Sequence, residues 1–393
     1  MTAPAIDPNP RFALFEAGFR PFFLLAGLHA VALVPVWVAV VLGYIALSVG
    51  MEASWHAHQM VYGFAAAGLA GFLLTAVPGW TGTPPRRGWG LIGLAALWVA
   101  GRIAMTFPDA VTPAFAAAVD LLFIPALVAA IAGPLLASGS RRNIVLLLPL
   151  AVFWAGDLMM QGEFLDLGGN AGIGVGLGID TLLLLISIIG GRIVPAFTAN
   201  ALGIAAERRQ HNVLDAAAVA AMALFLVGEA LTEISAVTGV VAAAAAILNA
   251  ARLALWRGER TLRSPILWVL HLGYLWLVLG LALKAVAALT DFIPEVAAVH
   301  ALTVGAIATM QLAVMTRAAL GHTGREIKAH PVIVVAYVLV SVAAVLRVGA
   351  AIVPQFYSEL LIGAGLAWTV AFLLFLAVYA PILVAPRIDR KPG

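Results

Sequence analysis

The chain contains no cysteine. That excludes disulfides, thiolate metal sites, iron–sulfur clusters and covalent c-type haem attachment. Any metal must be held by His, Met, carboxylate or backbone. Charge is also scarce. Only 10% of the 393 residues are charged, against about 25% in an ordinary soluble domain. Apolar types make up 63%, more than a globule of this length can hide from water. A soluble enzyme, a disordered chain and a peripheral anchor are excluded, and a polytopic membrane protein remains. Other absences narrow the chemistry. There is no GxxxxGK[ST] phosphate loop and no HExxH helix. Gly168 to Gly178 follows no strand, so it reads as a helix-packing stretch rather than a dinucleotide fingerprint. No basic-aromatic patch points to nucleic acid. The start, Met1 to Pro10, lacks a basic n-region and a small-residue cleavage site, so the first span is expected to stay in place.

What is present is a series of long apolar runs. A membrane helix needs about 20 mostly apolar residues. Twelve stretches qualify: 21–47, 58–77, 88–107, 112–137, 144–162, 172–196, 212–235, 237–256, 264–290, 296–320, 331–352 and 357–384. They do not alternate as barrel strands would. The expected fold is therefore all-α, one twelve-helix transmembrane domain over residues 1–393. The net charge of +3 says little, but its distribution says much. The N-terminal segment carries Arg11 and Arg20. The even connections carry Arg86, Arg87, Arg141, Arg142, Arg208, Arg209, Arg257, Arg260, Arg263, Arg325 and Lys328. The tail carries Arg387, Arg390 and Lys391. The odd connections carry Glu52, Asp109, Glu163, Asp166, Asp291 and Glu295, without Lys or Arg. The positive-inside rule then puts both termini in the cytoplasm, with the protein in a bacterial inner membrane.

A repeat is visible at the same points. Arg20, Arg142 and Arg263 open spans 122 and 121 residues apart. His58, Asp180 and His300 lie 122 and 120 apart, early in spans two, six and ten. The segments Val77-Pro78-Gly79-Trp80-Thr81 and Val194-Pro195-Ala196-Phe197-Thr198 are alike. The twelve helices divide on this reading into three groups of four; chance matches among similar loops are the competing account.

Ionisable groups in hydrocarbon are costly and usually face the bundle interior. Arg102, Lys284 and Arg347 lie near the outer ends of their spans, at a depth shared with Asp120, Asp157 and Glu229; Asp180 is somewhat deeper. Snorkelling with mutual pairing is one reading. A polar outer chamber whose cations hold an anionic cofactor group, such as a haem propionate, is the other. His56, His58 and His300 are at the outer side. His is the commonest transition-metal ligand. Rings two residues apart on a helix point about 200° apart, so His56 and His58 serve one ion only if the helix begins between them, which is the expectation. His58 and His300, from two helices at one depth, form the expected axial pair of a haem. His56 is a candidate copper ligand, an accessory group or a loop residue. His271 and His322 make an inner candidate metal pair, or else a packing residue and a loop residue. His29 is expected to be a hydrogen-bonding packing residue, and His211 and His330 to be solvated.

The residues Phe19-Arg20-Pro21-Phe22-Phe23, Trp55-His56-Ala57-His58, Leu73-Leu74-Thr75-Ala76-Val77-Pro78 and Trp80-Thr81-Gly82 resemble the NnrS family. So do Gly190-Gly191-Arg192, Pro195 to Asn200, His271-Leu272-Gly273-Tyr274, His300 to Gly305, Gly321-His322-Thr323-Gly324-Arg325 and Tyr379 to Leu383. The resemblance covers almost the whole chain. It implies a twelve-span membrane protein with b-type haem, and copper as a candidate second metal, linked to nitric oxide metabolism and defence against nitrosative stress. One departure is visible: Gln59 stands where a Glu is expected after the second His. The three-group division also resembles the haem–copper oxidase core, in which haem-ligating His residues lie on spans two and ten. That core's copper ligands lie on spans six and seven, where this chain has no His.

The expectation is thus a haem protein that acts on or senses nitric oxide. His58 and His300 would be the ligands; Arg102, Lys284 and Arg347 would neutralise propionates or shape the pocket; and His56, His271 and His322 are further metal candidates. A secondary transporter or efflux protein is the runner-up, and a non-catalytic haem carrier the third reading. The electron donor is not legible in the sequence.

Overall fold

Among the described residues the twelve apolar runs become twelve helices, and several starts and stops have a visible local cause. The computed structural model describes residues 12–46, 52–107, 110–203, 212–231 and 236–389. Arg11, Asp109, Arg208, Arg209, His211, Arg390 and Lys391 lie outside the described residues, as do the side chains of Glu52, Arg141 and Arg142. The helices are α1 Phe19–Val41, α2 Ala53–Thr81, α3 Trp89–Thr106, α4 Pro113–Ala137, α5 Leu147–Phe164, α6 Ala171–Leu202, α7 Val213–Leu231, α8 Ala236–Leu255, α9 Pro265–Leu289, α10 Glu295–His322, α11 Pro331–Ile352 and α12 Pro354–Val384. No strand occurs among the described residues. Among the described residues, eleven helices are long and apolar enough to cross a membrane. The exception is α5, an 18-residue helix that carries Asp157, Gln161 and Glu163.

Proline, with no N–H to donate, opens α4, α9 and α11, where that N–H would be unpaired anyway. Thr112 accepts the Phe115 N–H ahead of α4, and His330 Nδ1 accepts the Val332 N–H ahead of α11. The two similar Pro-containing segments end alike. α2 stops at Gly82 (φ +68°) and α6 at Gly203 (φ +67°), left-handed positions that suit glycine.

Neighbours in sequence pack as neighbours in space, and α12 returns to pack on α1, closing the ring. α2, α6 and α10 lie inside it and touch one another. They are the three most enclosed helices, with 72%, 61% and 67% of their apolar windows buried. Each also contains a π-helical stretch: Gln59–Ala65, Ile186–Gly190 and Ala301–Ala308. These occupy equivalent places in the three four-helix groups. Outer faces keep large apolar side chains exposed, among them Leu28, Phe115, Leu148, Leu224, Ile247 and Leu366. Water would penalise that surface; lipid does not.

A π turn widens the backbone and frees carbonyls from their ordinary partners. In α2 three carbonyls of this stretch accept from side chains of other helices. His29 Nε2–H of α1 donates to Gln59 O at 3.0 Å, Trp98 of α3 to Gly63 O at 3.2 Å, and Gln311 of α10 to Phe64 O at 3.1 Å. His29 is therefore a packing residue of the kind the sequence suggested.

Candidate functional site

α2 begins before His56 rather than between His56 and His58. Both rings therefore stand on the helix, about 200° apart, and they enter different clefts. His58 is the last residue before the π turn of α2, and His300 the last before that of α10.

His58 lies between α2 and the α3–α5 helices. It is fully enclosed, with Asp120 and Asp157 at 2% exposure. Its Nε2 is 2.8 Å from Asp120 Oδ2 and 3.0 Å from Asp157 Oδ1. The Gln161 amide nitrogen is 3.1 Å from the same Nε2 and 2.8 Å from Asp120 Oδ2. Arg102 pairs with Asp120 Oδ1 and donates to Gln59 Oε1 at 3.0 Å, while the Gln59 amide donates to Thr106 Oγ1 at 3.1 Å. Gln59 thus serves the guanidinium as a neutral acceptor. Gln161 was missed in the sequence. Its signal was its place four residues after Asp157, on the same face of α5.

The second cleft joins α6, α7, α9 and α10. Lys284 Nζ is 2.5 Å from Glu229 Oε2 and also pairs with Glu295. Asp180 is buried within electrostatic reach of all three. Of the three cations singled out in the sequence, Arg102 and Lys284 are therefore already held by carboxylates of this chain.

The third cleft differs. His56, His300 and Arg347 line one cavity, with Trp37, Met60 and Trp368 among its walls. Its volume is about 60 Å³, well below the roughly 300–1,000 Å³ of small-molecule pockets, so a larger ligand enters only if the walls part. No carboxylate of the described residues lines it. His56 stacks on Trp37, ring centroids 4.3 Å apart and planes within 5°. His300 Nδ1–H donates to Val296 O at 2.7 Å, which leaves Nε2 with its lone pair free. His56 Nδ1 and Arg347 Nη1 are buried without a hydrogen-bond partner. A guanidinium enclosed without an acid is costly unless an anion joins it, and a free imidazole lone pair in a cavity is a ligand in waiting for a metal.

The inner histidines keep separate company. His271 Nε2 meets Thr198 Oγ1 at 2.9 Å and its ring faces Trp256. His322 lies beside the Phe19 ring, centroids 5.8 Å apart. Nearby, the sequence reading missed a buried network centred on Arg252. Its guanidinium donates to Asp215 (2.8 Å), Ser187 Oγ (3.0 Å) and Tyr274 Oη (2.8 Å), and Tyr274 donates to Asn249 Oδ1 at 2.5 Å. This network ties α6, α7, α8 and α9 together and is fully satisfied by its own members. We expect Asn249→Leu to cost about 1–3 kcal/mol by stranding the Tyr274 hydroxyl and Ser187, read as a lower unfolding temperature in detergent.

A family model described as NnrS protein matches residues 13–387, nearly the whole chain. No curated protein sequence matches it.

Proposed function

The chain belongs to the NnrS family, and from that premise we propose that it binds a b-type haem in the third cleft and acts on or responds to nitric oxide in defence against nitrosative stress. Membership supports a membrane protein related to nitric oxide. The observation that carries the finer reading is the convergence of His56, His300 and an acid-free Arg347 on one aromatic-walled cavity. The donor set fits, though the cavity must open to take the porphyrin: two imidazoles would hold the iron, and Arg347 would hold a propionate. When bound, the haem would supply an iron centre able to bind nitric oxide and exchange electrons. The chain's own part is orientation and exclusion. Val296 O fixes the His300 tautomer, Trp37 fixes the His56 ring plane, and the apolar helices keep water out. Nitric oxide is small and apolar, so it can reach the cavity from lipid and needs no hydrophilic channel. The alternation of basic and acidic connections supports an inner-membrane location with both termini cytoplasmic.

His58 enters this reading by contrast. Its Nε2 faces two carboxylates, and the cavity that holds His300 is lined by His56 instead. The test is the visible spectrum and iron content of purified protein. We expect a Soret band that is lost or strongly shifted in His300→Ala and His56→Ala, weakened in Arg347→Leu, and retained in His58→Gln. A protein without a Soret band would overturn the reading and favour a transporter. Retention of an unaltered band in both His300→Ala and His56→Ala would move the haem elsewhere.

A further inference from the structure

The first cleft has the makings of a site of its own. Four side chains from three helices converge there: His58 from α2, Asp120 from α4, and Asp157 and Gln161 from α5. One ligand atom from each of His58, Asp120 and Asp157 lies within 4.8 Å of the other two. All four residues are at most 2% exposed, so water does not compete for them. One Arg balances one carboxylate. With a neutral imidazole, the group therefore buries one carboxylate more than its cations offset.

A second observation is independent of that count. Gln161, 1% exposed, points its carboxamide into the cluster, yet its Oε1 is buried with no hydrogen-bond partner. A stranded buried acceptor normally costs about 1–3 kcal/mol. Rotating the carboxamide by half a turn would point that oxygen at the place where His58 Nε2, Asp120 Oδ2 and Asp157 Oδ1 already converge. Such an arrangement repels itself unless a cation sits at its centre.

We propose that His58, Asp120, Asp157 and Gln161 bind one divalent metal ion of the manganese, iron(II) or zinc class, separate from the haem cleft. One imidazole nitrogen and three oxygens, with no sulfur, suit that harder class better than a copper site. Bonds of about 2.1 Å in a tetrahedron hold ligand atoms about 3.4 Å apart. The separations of 2.8 and 3.0 Å between His58 Nε2 and the two carboxylates need to open by about 0.4–0.6 Å. Arg102 grips the far oxygen of Asp120, Oδ1, and so aims Oδ2 at the ion; such outer partners orient metal ligands.

The test uses the full chain, expressed with added Mn²⁺ so that the ion is offered before the site closes, then purified in detergent. Elemental analysis and manganese electron paramagnetic resonance are read on the same samples. We expect about one ion per chain in the unaltered protein. We expect a loss on the order of tenfold or more in Asp157→Asn and in Gln161→Leu. Gln161→Glu, which supplies a second ligand-capable oxygen and a charge, should retain the ion. A plain hydrogen-bond network predicts the opposite for Gln161→Glu, since a third carboxylate would repel the other two. Background metal in the unaltered protein, or equal metal in all four forms, overturns the proposal. His300→Ala should leave the manganese content unchanged, and the Soret band of these samples reports on the haem reading separately.

Discussion

Arg102→Leu is expected to be among the most damaging single substitutions in the protein. It removes the guanidinium that pairs with Asp120 and donates to Gln59. Asp120 and Asp157, both 2% exposed, would then crowd His58 with no fixed positive charge nearby. Breaking a buried pair from one side costs about 3–5 kcal/mol. The measurement is the unfolding temperature and monodisperse fraction in detergent, and both should fall sharply. A double substitution, Arg102→Leu with Asp120→Leu, should recover much of the loss, because it strands neither charge. Arg347→Leu is the control. Among the described residues no acid pairs with Arg347, so its stability effect should stay within about 1 kcal/mol while its haem content falls. Equal stability of Arg102→Leu and the unaltered chain would show that the pair is not structural.

Gly156→Val should be comparably severe for a steric reason. α5 and α6 approach until Gly156 and Gly174 face each other with nothing between them. A Cβ on Gly156 would lie 2.8 Å from Gly174 O and press on the Tyr62 hydroxyl; one on Gly174 would lie 2.5 Å from Gly156 O. Small residues let membrane helices approach in this way. Tyr62 Oη donates to Gly174 O at 2.6 Å across the same contact. The wedge therefore both overpacks the contact and breaks a buried hydrogen bond, for a combined cost of about 3 kcal/mol. Gly133 is the comparison, since a Cβ there meets nothing within 4 Å. Gly133→Val should leave the unfolding temperature nearly unchanged. Similar losses at both positions would point to helix propensity rather than packing.

Span number and alternation were legible because both rest on local composition. Twenty apolar residues make a span whatever surrounds them, and loop charge needs no partner to be read. The start of α2 was not legible. Glu52 to Trp55 looks like a loop by composition, yet it is helical, and that one turn sends His56 and His58 to different clefts. The π turns were hidden too, because the side chains that donate to the carbonyls of the α2 stretch come from α1, α3 and α10, far away in sequence. The sequence also showed Arg102, Lys284 and Arg347 as three equivalent cations. Only pairing across helices separates the two that are held from the one that is not. That these polar groups share a depth was readable from the spans; their division into three clefts with different contents was not.

The wide turn of α2 has a consequence for register. Ahead of it stand His56 and His58, one facing each of two clefts; behind it run the residues that seat α2 against α1 and α10. Removing a single residue from Gln59–Ala65 would let the helix close to ordinary pitch. Six residues at ordinary pitch sweep nearly the same angle as seven in the wide turn, so both imidazoles would keep their clefts, while the widened backbone that His29, Trp98 and Gln311 reach would be lost. The seven residues of that turn therefore act as the receiving part of the helix: they keep the two ends in register while offering carbonyls to three neighbouring helices.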